Sequence, residues 1–458
     1  MAMKNELRIE GMNEEEKALY NLGYFFNKDG KLKGLNANRF GRYIERNYNF
    51  LYRNGVEFDY FEDGVWQKIS KDAFSQLLYD ELESVRPHLW KTSYEREALA
   101  VLKRILYTKV DFNSNRNLIN LQNGMYNIDT HELLEHDLEF YSSVQLPYAY
   151  DENAECPRFE QFLDEVFEGD EERISKALEW LGYCMTVETQ AQKSLILFGG
   201  GSNGKGVFSE VMTKLVGKEN ISNVPLLDLG TDFNRVQLYN KTVNMAGENE
   251  VGKSGFNSQY FKTIIGEDTI TAAHKGVDGF SFKPFCKLVL TFNNLPFTMD
   301  KSDGYFRRLD FLPFTKHFSE HEKDPFLREK LIDEIPGIFN LAMKGLARLQ
   351  SNGFRFTKSE VSEKLLNEYK EELSPMMQFF NQRVTASEDG DRVENQKVYN
   401  AYISWLKENG YKSHANLTTK AFWREFSEEA KKRQIKIKSK HSGECRYRTG
   451  FKLEKEYI

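Results

Sequence analysis

Leu195-Ile196-Leu197-Phe198-Gly199-Gly200-Gly201-Ser202-Asn203-Gly204-Lys205-Gly206-Val207 is the stretch on which the fold turns. The four apolar residues read as a short buried strand, the glycines as a turn, and 207–216 as a helix. Strand, glycine-rich loop and helix together form a P-loop pattern, in which backbone N–H groups converge on phosphate oxygens with no Cβ in the way. Lys205 then reaches the β- and γ-phosphates, and the helix N-terminus adds a favourable dipole. Gly199, Gly201, Ser202, Asn203, Gly204, Lys205, Gly206 and Val207 are the candidate nucleotide-binding residues. One position departs from the pattern. The residue after the lysine is usually a Ser or Thr that binds Mg²⁺, and here it is Gly206.

Downstream, Val243-Asn244-Met245-Ala246-Gly247 reads as a core strand that ends on Glu248-Asn249-Glu250. Carboxylates at the tip of a strand beside the P-loop strand are where Mg²⁺ and an attacking water sit. Glu248 is therefore expected to hold the magnesium of Mg-ATP or activate water, with Glu250 as its partner. Leu288-Val289-Leu290-Thr291-Phe292 is another buried-strand pattern and ends on Asn293-Asn294-Leu295-Pro296. An amide at such a tip orients water or the γ-phosphate. Arg307-Arg308 precede an apolar strand and offer a guanidinium to a neighbouring subunit's nucleotide. His274-Lys275-Gly276 falls between two strand-like runs, at an expected hairpin tip suited to a sugar-phosphate backbone.

Upstream, 36–54 reads as helix, 58–69 as a hairpin around Asp63-Gly64, and 118–134 as short strands. Ser70 and Ser93 are expected helix caps. Helices are expected over 174–185 and from Cys156-Pro157 onward. Past residue 352, helices are expected at 357–370, 374–382, 395–407 and 418–433. A strand at 435–438, a turn at 441–443 and runs at 446–448 and 451–453 then complete a winged helix. Lys436, Lys438, Lys440, Arg446 and Arg448 would form one basic face for phosphate contact on duplex DNA, or a solvated strand pair.

The chain has 458 residues, 40% hydrophobic and 29% charged, as in a soluble globular protein of two to four domains. It has no apolar run long enough for a membrane span and no secretory signal. Its four scattered cysteines disfavour zinc and a disulfide framework and suit a cytoplasmic setting. A net charge of −6 does not advertise nucleic-acid binding, which must then come from local basic surface or a channel shared by subunits.

The ordered set Gly-Ser-Asn-Gly-Lys, Gly-Glu-x-Glu, Phe-Lys-x-Ile-x-Gly-x-Asp-x-Ile, Asn-x-Leu-Pro and Arg-Arg-Leu resembles the superfamily 3 helicases. The resemblance is to the phage and plasmid primase–helicase branch, with its poxvirus and satellite-phage members. It implies an α/β fold. An N-terminal mixed α/β domain (1–150, for oligomerisation or a collar) precedes an AAA+ P-loop core (151–352). A helical linker and winged-helix DNA-binding domain follow (353–458). It implies an ATP- and Mg²⁺-dependent ring, usually a homo-hexamer, that translocates 3′ to 5′ on single-stranded DNA in replication of a phage, plasmid or mobile island. Lys205 matches the Walker A lysine, Glu248 the Walker B acid with Glu250 beside it, and Asn293 the sensor. Arg308, or else Arg307, matches the arginine finger. His274 and Lys275 match the pore hairpin. Residues 1–150 show no Asp-x-Asp pair with a histidine, so priming would need a separate primase. Two other readings stay open: an ATP-assembled initiator or loader without processive unwinding, and an NTPase scaffold that recruits replication proteins.

Overall fold

The computed structural model describes residues 11–27, 30–247, 258–273, 279–296, 298, 300–387, 392–409, 411, 417–442 and 445–453. Four expected site residues, Glu248, Glu250, His274 and Lys275, lie outside the described residues.

A five-stranded, all-parallel sheet organises the middle of the chain. Its strands are β1 (Ser194–Phe198), β2 (Ile221–Ser222), β3 (Val243–Ala246), β4 (Lys287–Phe292) and β5 (Leu309–Pro313), in the order β2-β3-β4-β1-β5. Parallel sheets are covered on both faces, so their strands read as apolar runs. Leu195, Leu197, Val289 and Leu312 face a cluster built with α1 (Pro157–Phe167), α2 (Glu171–Cys184), α3 (Lys205–Val216) and α4 (Ile335–Ser351). Ile196, Leu288, Leu290 and Phe311 face the opposite way, toward helix Ser258–Ile265 and α5 (Glu360–Leu373). The order corrects one expectation. β3, the strand before Glu248, pairs with β4 and not with β1; β4 stands between them.

The buried apolar residues fall into separate clusters along the chain. Residues from Leu19 to Leu106 have a core of their own. Ile119, Leu121, Tyr126, Ile128 and Leu146 instead join the cluster around α1 and α2, so the meander of strands Leu118–Leu121, Gly124–Asn127 and Leu133–Leu134 packs with the central block. α5 also packs there, through Tyr369 and Leu373, and the last core begins only at Met376. The clusters thus change near 107–117 and near 374.

Local signals held in several places. Asp63 and Gly64 both take positive φ in the turn between strands Glu57–Glu62 and Val65–Lys68, as a primed hairpin turn requires. Ser70 caps helix Lys71–Glu83 by accepting from the Ala73 N–H. Ser93 does not cap; it lies inside helix Thr92–Ile105, after Lys91. The helix expected over 36–54 ends at Asn47, because Phe50–Arg53 is a strand paired with Glu57–Glu62. Near the C-terminus the strand begins at Lys438, not 435, and runs through Ser442 against Cys445–Thr449. Phe451–Leu453 pairs with Val384–Ala386 instead of joining that hairpin.

Candidate nucleotide and DNA site

Lys205 opens α3 and is buried. Its Nζ donates to the Gly199 carbonyl (2.9 Å), the Phe292 carbonyl (3.1 Å) and Asn293 Oδ1 (2.7 Å). A lysine ammonium carries three donors, and burying one without acceptors is costly. Two of these acceptors come from the end of β4, which reaches the loop because β4 lies beside β1. The strand order therefore brings Asn293 onto Lys205 across 88 positions of sequence.

The loop itself is held from three sides. Asn203 Nδ2 donates to the Phe314 carbonyl at 3.2 Å, and its Oδ1 accepts from the Lys205 N–H at 3.2 Å. The Phe318 N–H donates to the Ser202 carbonyl at 2.7 Å, and His317 Nδ1 lies 3.2 Å from the Gly201 carbonyl. Gly204 sits at φ +86°, where a Cβ would come within 2.6 Å of Val166 Cγ2 on α1. A Cβ on Gly200, Gly201 or Gly206 would meet nothing within 4 Å. The loop is thus packed against protein at Gly199 and Gly204 and open at Gly200, Gly201 and Gly206. That open, glycine-lined side fits a phosphate group. Val207 follows within the first turn of α3 and is only partly buried.

His317, Phe318 and Val166 brace this loop, and no motif marked them. Val166 belongs to an amphipathic helix whose periodicity was legible, but not its contact with the loop. His317 and Phe318 follow β5 in an irregular segment.

Arg308 is elsewhere. Leu309 pairs with Ser194, the first residue of β1, and the Arg308 carbonyl accepts from the Ser194 N–H at 2.7 Å. The glycine loop leaves the other end of β1. Four residue rises separate the two ends, about 13 Å. Arg308 Nη1 donates to the Gly304 carbonyl at 2.6 Å, and burial holds its pKa below the ordinary arginine value. Arg307 is exposed.

Strands Ile270–Ala272 and Phe280–Phe282 form the expected antiparallel pair around the undescribed tip. In the C-terminal hairpin, the pairing of Lys438 with Thr449 and of Ser439 with Arg448 overturns the expected single basic face. Directly opposed residues share a face, and successive residues alternate. Lys438 therefore lies on one face, Arg446 and Arg448 on the other. Arg448 is half-buried, with its guanidinium 4.0 Å from the Trp423 ring. Lys436, Lys438 and Arg446 are exposed. Among the described residues no three His, Cys, Asp or Glu side chains gather as a metal site, and no helix is long and apolar enough to cross a membrane.

Three family models match in succession: D5 N terminal like over 37–168, a family of unknown function over 197–308, and Poxvirus D5 protein-like over 371–454. These matches support a phage- and poxvirus-type primase–helicase. A protein of Acanthamoeba polyphaga mimivirus named "Putative helicase" is 23% identical over 65% of this chain and 34% of its own length. The DNA Primase-polymerase of Nitratiruptor phage NrS-1 is 22% identical over 57% of this chain and 34% of its own length. The chain spans about a third of the length of the curated relatives it matches. An apo structure of the NrS-1 C-terminal region shares the fold, with a TM-score of 0.51 and 14% identity over 89% of this chain and 97% of that one. In this chain the central match, 197–308, runs from the end of β1 to Arg308 and contains Lys205 and Asn293.

Proposed function

We propose that this chain is an ATP-dependent helicase or initiator of DNA replication that works as a ring, moves 3′ to 5′ on single-stranded DNA and serves a phage, plasmid or mobile element. The bond of 2.7 Å between Lys205 Nζ and Asn293 Oδ1 carries the reading. It sets a lysine and an amide together at the mouth of a glycine loop whose outer side is open. Backbone N–H groups of 199–206 and Lys205 would hold the phosphates of ATP. Asn293 would orient the γ-phosphate or water. Glu248, two residues beyond β3 in sequence, would hold Mg²⁺, with Glu250 beside it. Bound Mg-ATP would supply the γ-phosphoryl group whose hydrolysis powers movement.

The position of Arg308 supports a ring. An arginine reaches about 7 Å, and its own loop is about 13 Å away along β1. Arg308 would therefore serve a neighbour's nucleotide, as an arginine finger supplied in trans does. His274 and Lys275 would touch the strand in the central hole. The C-terminal unit would act as a winged helix that contacts duplex DNA through one face of its hairpin, the one with Lys438 or the one with Arg446. The central sheet would be an AAA+ P-loop core. The relatives named for helicase and primase–polymerase activity agree with a role in replication.

The test is strand separation on a forked duplex by the wild type and by Lys205→Ala. Loss of unwinding in the variant is expected; equal unwinding overturns the proposal. Gly206, which lacks the usual hydroxyl, favours a loader as the second reading. DNA-stimulated hydrolysis without strand separation selects that one.

A further inference from the structure

The hairpin of strands Ile270–Ala272 and Phe280–Phe282 is tied at its root by two separate contacts, one to the N-terminal unit and one to Arg116 and Thr189 outside that unit. The first runs through Arg53, which is buried. Its Nε donates to Asp59 at 2.8 Å, its Nη2 pairs with Glu57, and its guanidinium lies 4.5 Å from the Phe112 ring. One direction of the fork leaves the unit: Nη1 donates to Tyr239 Oη at 2.7 Å. The Tyr239 ring stands edge-on to Phe280 and Phe282, at 5.3 Å and 5.2 Å between centroids. Those phenylalanines share one face of their strand, two positions apart.

The second contact runs through Glu267, three residues before the hairpin. It bonds Lys283, the residue just after the hairpin, at 3.0 Å, and so joins the two ends of the root. Arg116 pairs with Glu188 at 2.7 Å and lies 3.9 Å from Glu267. Thr189 donates to the same Glu267 carboxylate.

We infer that Arg53 and Tyr239 are positioning residues: they make the N-terminal unit a brace that fixes the hairpin root, so that movement generated at the nucleotide site reaches DNA through the hairpin instead of being lost in its tilting. The inference rests on the proposed function only in its last clause. The geometry is unusual for a plain packing contact. A buried guanidinium with two carboxylates already on it spends a third direction on a tyrosine 186 positions away. That tyrosine in turn bears on the hairpin's two aromatic residues. Charge-assisted bonds of this kind are the more directional ones.

Tyr239→Phe in the full chain is the test. It keeps the ring against Phe280 and Phe282 and removes only the bond to Arg53, whereas replacing Arg53 would leave Asp59 buried and unpaired. Two readouts are taken. Hydrogen exchange of segments 270–272 and 280–282 should quicken about tenfold, with β1 and β4 unchanged. Duplex opened per ATP consumed should fall about tenfold, the equivalent of ~1.4 kcal/mol, with ATPase in the absence of DNA unchanged. Unchanged hairpin exchange overturns the brace, whether or not the chain unwinds DNA. Faster exchange with an unchanged ratio of opening to ATP overturns its coupling role. A wild type that opens no duplex refutes the proposed activity, and exchange then decides the brace alone.

Discussion

Gly204→Ala probes the packing of α1 against the glycine loop. Two costs combine. At φ +86° a Cβ crowds the following carbonyl, which costs about 1 kcal/mol for a non-glycine residue. The same Cβ would stand 2.6 Å from Val166 Cγ2 and 3.4 Å from Phe162 Cε2. Val166 and Phe162 are buried in the central cluster and cannot swing into solvent. Overpacking of this kind costs about 1–2 kcal/mol. The sum is about 2–3 kcal/mol, a fall of roughly 4–12 °C in melting temperature for a block of this size. Nucleotide affinity should fall as well, because the loop must shift away from α1. The decisive measurement is a double-mutant cycle with Val166→Ala. Removing two methyl groups creates a cavity that costs stability by itself, yet gives the methyl introduced at position 204 room. The double variant should therefore be more stable than the sum of the single effects predicts, by about 1–2 kcal/mol. Strict additivity would refute the claim that α1 and Gly204 are in forced contact.

Two further outcomes follow from the placement of Arg308 and Lys287. Lys205→Ala and Arg308→Ala should each abolish hydrolysis alone, but an equimolar mixture should restore about a quarter of the interfaces, those that pair an intact lysine with an intact arginine; a mixture as inactive as its components rejects a site shared between subunits. Lys287, fully buried at the start of β4 with its ammonium toward the Thr186 carbonyl, is pushed down by burial to about 8 from an ordinary 10.5. The unfolded chain binds that proton more tightly between those values, so stability rises with pH across the window and the cost is present in full below it. Lys287→Met should therefore be the more stable protein at pH 7, by ~3 kcal/mol of relieved desolvation less about 1 for the lost hydrogen bond. Its advantage should shrink by pH 10 in urea titrations. An equal advantage at both pH values contradicts the burial argument.

Much of the local structure was legible from short stretches. The glycine loop announced β1 and α3, Asp63-Gly64 announced a hairpin, and Ser70 announced a helix start. Caps, turns and periodicity act within a few residues, so they can be read without knowing the neighbours. Reading failed where two local signals competed. Phe50-Leu51-Tyr52-Arg53 continues a helical apolar spacing, but pairing with 57–62 took it into a sheet. The basic residues around 436–448 looked like one surface because sequence shows spacing and not register. The observed pairing turns Arg446 and Arg448 away from Lys438 and sets Arg448 against Trp423.

The sequence by itself determined that a strand runs into a glycine-rich turn with a lysine at the head of a helix, since glycine's backbone freedom and helix periodicity are properties of adjacent residues. Only the tertiary structure decided what meets that lysine. Parallel strands pair across long separations, and burial of both faces selects their order. β4 stands beside β1 and so puts Asn293 on Lys205, while β5, parallel to β1 on its other side, leaves Arg308 at the far end of the sheet.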